Sequence, residues 1–164
     1  MSEKISINVF SRSSIQNAKE LLMEKADKID GGTRETVKKL TQIGYEYMMT
    51  IVKVDSGELA ESISWEYDEQ TNTGRIEVGS AYAIFVEYGT GIVGATGKKH
   101  PEPAPGWKCD AKGHGEKGWT YFDAKQNRFR WTKGQPASAF VYRTREYMKS
   151  QAGETLRVSM MDNA

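Results

Sequence analysis

Residues 62–79 read SISWEYDEQTNTGRIEVG, and this stretch sets the fold class. Ile63, Trp65 and Tyr67 alternate with Ser64 and Glu66, the period of a half-buried strand. Thr71-Asn72-Thr73-Gly74 is turn chemistry, and Arg75 to Val78 reads as the returning strand. Helical spacing precedes this hairpin. Ile15, Ala18, Leu22, Ala26 and Ile29 share one helix face, after an N-cap offered by Arg12-Ser13-Ser14. Gly31-Gly32 predicts the end of that helix. Thr33 can cap a second helix, with Glu35 in its first turn and Val37, Leu40, Gly44, Tyr47 and Ile51 as its apolar stripe. Both stripes read as core. Ile5, Ile7 and Val9 alternate in residues 4–10, KISINVF, and predict an N-terminal strand. The expected class is α+β: an N-terminal strand and two helices packed on an antiparallel sheet.

Downstream, Ser56-Gly57-Glu58-Leu59 starts a short turn or helix through Ser62. Ser80 to Tyr88 is apolar and aromatic, with a mixed period that leaves helix and strand both open. Residues 92–118 hold six of the 16 glycines and three of the four prolines, and predict a long loop. Trp119 and Tyr121, then Phe129 and Trp131, alternate as a second hairpin with cross-strand aromatic pairs. Pro136 is expected in the first turn of a last helix, with Phe140, Val141, Thr144, Tyr147 and Met148 on one face. From Lys149 the pattern weakens, and fraying is expected over 149–164. The chain reads as a single domain, 1–164, carrying a loop-and-hairpin insertion at 92–133.

The chain has 164 residues with 23 basic and 22 acidic side chains, a net charge of +1. That near-balance argues against a dedicated nucleic-acid binder. No apolar run approaches the ~18 residues of a membrane span, and MSEKISINVF has no charged-then-apolar signal pattern. A single cysteine, Cys109, excludes an internal disulfide framework and suits a reducing compartment. The charge is unevenly placed. Residues 54–91 are acidic and residues 92–133 are basic. These are solvated faces of opposite sign, or surfaces that pair head to tail between copies.

Candidate chemistry concentrates in the glycine-rich loop. His100, Cys109 and His114 lie close together, with Asp110 as a conceivable fourth metal ligand. A structural zinc needs four ligands at characteristic spacing, and the sequence offers no CxxC. Cys109 lacks an oriented base that would make it a nucleophile. Gly89-Thr90-Gly91 with Gly94, Gly97 and Lys98-Lys99 departs from the GxxxxGK[ST] phosphate loop. No cofactor and no metal site is expected. Lys98, Lys99, Lys108, Lys112, Lys117, Lys125, Arg128, Arg130 and Lys133 interleave with Trp107, Trp119, Tyr121, Phe129 and Trp131. That pattern fits either a single-strand-binding surface or a hairpin whose aromatics pack inward.

Three segments in order carry a family resemblance. They are Ser56-Gly57-Glu58-Leu59-Ala60-Glu61-Ser62-Ile63, then Val78 to Gly91 (VGSAYAIFVEYGTG), then Gly134-Gln135-Pro136-Ala137-Ser138-Ala139-Phe140. Over roughly residues 4–150 the chain resembles the tail-completion or neck (head–tail joining) proteins of long-tailed phages, the gene-product-ten-like group. The third segment has Ala139 where that family usually has proline. The resemblance implies a virion structural protein, not an enzyme, with an α+β fold, assembled as a homo-oligomeric ring. It implies copies of itself, head-connector proteins and tail-terminator or tail-tube proteins as partners. DNA would pass through the ring without sequence-specific contact, and no membrane is involved. The implied location is the virion neck or proximal tail, with the host cytoplasm during assembly. Glu87, Tyr88, Gly89, Thr90, Gly91, Lys98, Lys99 and Trp107 are the expected oligomer or partner contacts, and Pro136 and Phe140 the packing of the last helix.

Overall fold

The computed structural model describes residues 12–52, 57–102, 104–109, 117–123 and 126–162. The strand expected over 4–10 lies outside them, as do Asp110, Lys112, His114 and Lys125. The described residues form an α+β fold of five helices and two small antiparallel sheets of two strands each. In chain order these are α1 (Arg12–Ile51), α2 (Glu58–Glu61), β1 (Ile63–Asp68), β2 (Thr73–Val78), α3 (Ala83–Tyr88), α4 (Gly91–Thr96), β3 (Trp119–Asp123), β4 (Arg128–Thr132) and α5 (Phe140–Asp162).

The hairpin over 62–79 is present as read. β1 pairs with β2 from Ile63↔Val78 to Asp68↔Thr73. Asp68 closes the turn, its carboxylate accepting the Gln70 backbone N–H at 2.8 Å and the Thr71 hydroxyl at 2.8 Å. Those bonds hold its carboxyl below the usual carboxylate range. Ile63, Trp65 and Tyr67 point inward, while Ser64, Glu66 and Asp68 are exposed.

The two expected N-terminal helices are one. α1 runs 40 residues through Gly31-Gly32 without a stop. Thr33 does not cap; its hydroxyl donates back to the Asp30 carbonyl at 2.8 Å, as inside a helix. The reason for the glycine lies far along the chain. A Cβ on Gly32 would sit 2.6 Å from Met160 Sδ of α5, and one on Gly44 would meet Met148. Each glycine costs about 1 kcal/mol of helix propensity relative to alanine, but here it opens a slot that a methionine fills. α1 and α5 are antiparallel partners through these slots, and Tyr47 stacks on Tyr147 with ring centroids 4.0 Å apart.

That pairing covers only part of α1. Met48 and Val52 join Leu59, Ile63 and Phe140 in the core. Toward the other end, Ile15, Leu22 and Ile29 are 49%, 55% and 58% exposed. The first stripe is therefore not core among the described residues, apart from buried Ala18.

Within Ser80 to Tyr88, Ala83–Tyr88 resolves as helix, α3, after a turn, and α4 occupies the start of the long loop. The last helix differs at both ends from expectation. It begins at Phe140, so Pro136, itself exposed, precedes it by four residues and lies outside any helix. It does not end near Lys149 but continues to Asp162. Its buried positions are Phe140, Thr144, Thr155 and Ser159.

Candidate functional site

The second and third sequence elements close on each other at the start of α5. Thr90 and Gln135 form an isolated antiparallel bridge, with N···O distances of 2.9 and 3.1 Å. Ser138 N–H donates to the Val86 carbonyl at 2.9 Å, and Ala139 N–H to the Glu87 carbonyl at 3.1 Å. Ala137 N–H reaches the Lys98 carbonyl at 3.0 Å. Gly89 makes this closure possible. Its φ is 81°, and a Cβ there would lie 2.8 Å from the Ala137 nitrogen. Gly91, also at positive φ, follows with its N–H on the Cys109 carbonyl at 2.5 Å.

Glu87 is the centre of the junction. It is 6% exposed, a carboxylate almost out of water. Its oxygens accept the Val141 backbone N–H at 2.9 Å and the Tyr142 backbone N–H at 3.0 Å. These are orphan donors of the first turn of α5. A side chain at the residue before the helix usually satisfies them, but that residue is Ala139, which has no oxygen to offer. Glu87, from α3, does this instead, and the positive end of the α5 dipole favours its charge. A third donor is His100, whose Nε2 lies 2.7 Å from Glu87 Oε1. Because a carboxylate only accepts, Nε2 carries the proton. Nδ1 then accepts the Glu102 backbone N–H at 3.0 Å. The Glu102 carbonyl lies 2.5 Å from the same nitrogen, so an imidazolium also finds an acceptor there.

Aromatic rings wall in this pair. His100 packs 4.4 Å from the Tyr88 ring and 5.5 Å from Tyr142. Trp107 meets Phe85 edge-on at 5.3 Å and Tyr88 at 5.9 Å. Arg145 of α5 grips Glu102 with two hydrogen bonds, at 2.5 and 3.1 Å, and ties the loop to the helix. The guanidinium holds the Glu102 carboxyl below its ordinary 4.5, and the carboxylate raises Arg145 in turn.

The structure thus brings together Glu87, Tyr88, Gly89, Thr90, Gly91, Trp107 and Phe140, and adds His100, which the sequence offered only as a candidate metal ligand. Its burial had no periodic signal, since it lies 13 positions from Glu87 in glycine- and proline-rich chain. Lys98 and Lys99 are exposed, as is Pro136. Phe140 is fully buried. Cys109 is half-buried beside the Tyr88 carbonyl, 3.9 Å away. Among the described residues no group of three His, Cys, Asp or Glu side chains could hold a metal ion. Chemically the junction is a fastening: the Glu87 carboxylate is spent on three donors.

A second feature faces outward. In the β3–β4 hairpin, direct partners share a face: Thr120↔Trp131 and Phe122↔Phe129 on one side, Tyr121↔Arg130 and Asp123↔Arg128 on the other. Phe122, Phe129 and Trp131 are 51%, 74% and 60% exposed. The inward-packing reading of these aromatics is therefore corrected. On the opposite face Trp119, Asp123 and Arg130 are half-buried and Arg130 pairs with Asp123 at 3.2 Å, while Tyr121 and Arg128 are exposed.

The chain matches no protein-family model, no curated protein and no solved structure. Among the described residues no helix is long and apolar enough to cross a membrane.

Proposed function

We propose that this chain is a structural protein of a phage or prophage virion, joining the head connector to the tail as a homo-oligomeric ring around DNA. One observation carries the reading. The second and third resemblance elements, over 40 residues apart in sequence, build one junction in which Glu87 caps α5. Residues that must interlock have a physical reason to occur together, which favours a shared origin with the neck family over chance matches of these two segments. The departure at Ala139 is conformational too. Its φ is 51° and its N–H is bonded, whereas proline is held near −65° and has no N–H. The function needs no catalytic residue, cofactor or metal; assembly surfaces carry it.

Quantitative mass spectrometry of purified particles tests this. A few to a dozen copies per particle, far below the main tube protein, is the expected result. Absence from intact particles overturns it.

A second reading, a small single-stranded nucleic-acid-binding module, draws on the outward rings of Phe122, Phe129 and Trp131. Stacking rings of this kind bind bases when cations rim them. Lys133 does sit 5.6 Å from the Trp131 ring, but Arg128 and Arg130 belong to the other face. Salt-dependent oligonucleotide binding would favour this reading.

A further inference from the structure

We propose that residues 97–102 and 104–109 form a clasp over α3 that opens as a unit while Glu87 keeps α5 capped. The inference goes beyond the ring reading and stands without it.

Four observations carry it. The first is how the segment is held. Its two feet are bonded through the backbone: the Lys98 carbonyl accepts Ala137 N–H at 3.0 Å, and the Cys109 carbonyl accepts Gly91 N–H at 2.5 Å. Between the feet, the described residues make no backbone hydrogen bond to the rest of the chain; Trp107 N–H turns back onto the Ala104 carbonyl at 3.1 Å. Side chains do the holding. His100 bonds Glu87, Trp107 packs on the Phe85 and Tyr88 rings, and Glu102 clips to Arg145 on the outside. Pro101, Glu102, Pro105, Gly106 and Lys108 all face water. A segment so short of backbone ties belongs to the low end of local stability.

The second is the outer clip. The Glu102 and Arg145 side chains are 54% and 46% exposed, so the pair holds weakly and salt screens it. Release does not strand Arg145, which also pairs with Glu146 at 3.2 Å and lies 5.0 Å over the Tyr142 ring. The third is a cost of closure. Trp107 Nε1 is shut off from water and has no hydrogen-bond partner. A buried donor with no acceptor is penalised, and opening returns it to water. The ring of Trp107 thus favours the closed clasp while its N–H opposes it.

The fourth is what stays behind. With His100 withdrawn, the Glu87 carboxylate still accepts Val141 and Tyr142 N–H, at 2.9 and 3.0 Å, beside the positive end of the α5 dipole. Water can take the place of the imidazole at Oε1. The cap therefore survives an opening that uncovers the Phe85, Tyr88 and Tyr142 rings.

Hydrogen exchange of the full chain tests this, read by mass spectrometry at neutral pH on peptides over the clasp and over the start of α5. Clasp amides should exchange about tenfold or more faster than those of Val141 and Tyr142. Added salt should speed the clasp about two- to fivefold and leave the α5 amides alone, and Arg145→Gln should do the same and abolish the salt effect. Replacing Trp107 by 3-benzothienylalanine, the same bicycle with sulfur in place of N–H, should slow clasp exchange about fivefold or more. His100→Ala should speed the clasp with Val141 and Tyr142 still protected, circular dichroism confirming that the variant folds. Equal rates for the clasp and the start of α5 overturn the proposal. So does unchanged or faster clasp exchange without the Trp107 N–H, and so does loss of Val141 and Tyr142 protection in a folded His100→Ala chain.

Discussion

Glu87→Ala is the most informative single change. It removes an acceptor of three hydrogen bonds and leaves the Val141 and Tyr142 N–H groups and His100 Nε2–H facing a hole. Loss of an N-cap costs about 0.5–2 kcal/mol, and a hydrogen bond to a charged group is worth about 1.5–3 kcal/mol. These overlap rather than add, so the whole effect should resemble breaking a buried pair, about 3–5 kcal/mol. Glu87→Gln preserves the shape but offers one oxygen where three donors converge, and should cost about 1–3 kcal/mol. Denaturant unfolding followed by tryptophan fluorescence reads both. The ratio matters as much as the sum. If Gln costs as much as Ala, the carboxylate's charge and second oxygen and not its shape are at stake; if Ala costs under about 1 kcal/mol, Glu87 does not fasten α5 and the junction argument fails. A double-mutant cycle with His100→Ala should show coupling, because the two share one bond.

Other expectations follow from the same structure. Phe140→Ala should lose about 3–5 kcal/mol, since the ring is completely buried; a negligible change in denaturation midpoint would remove it from the core. Gly134→Ala should destabilise strongly, because φ is 97° and a Cβ would run into the Thr90 carbonyl. Gly153→Ala, in α5 where a Cβ would meet nothing within 4 Å, should stabilise by about 0.5–1 kcal/mol, read as a higher denaturation midpoint. Acidification should loosen the loop tied by Glu102. Its carboxyl titrates below 4.5 in the folded chain, so its contribution is present above the unfolded value and is lost as pH falls through the folded one. Wild type and Glu102→Gln should therefore differ in stability at neutral pH and converge once the pH falls below the folded carboxyl's own value.

How far the sequence reached depended on the range of the forces involved. The β1–β2 hairpin was legible because alternation and turn residues are local signals. The unbroken α1 was not. Gly31-Gly32 carries a local stop signal, while the slot that Gly32 makes is filled by Met160. The full length of α5 was hidden for a related reason. Its inner face is built from Thr144, Thr155 and Ser159 beside Phe140, so hydropathy fades although burial does not. The threonines are acceptable there because their hydroxyls bond carbonyls one turn back, Thr144 to Phe140 at 2.8 Å and Thr155 to Gln151 at 2.9 Å. In the candidate site, Gly89 and Gly91 announced the turn by type. Glu87 was legible as part of a motif but not as a cap, since its partners lie 54 and 55 positions away.

The pairing of α1 with α5 also has a consequence for synthesis. The first long helix is synthesised well before Met148 and Met160, which fill its glycine slots. Roughly 100 residues separate the two, or about 5–20 s of translation at ordinary rates. Throughout that interval the nascent α1 carries an apolar face without its intramolecular cover, and closing the chain requires a loop spanning most of its length.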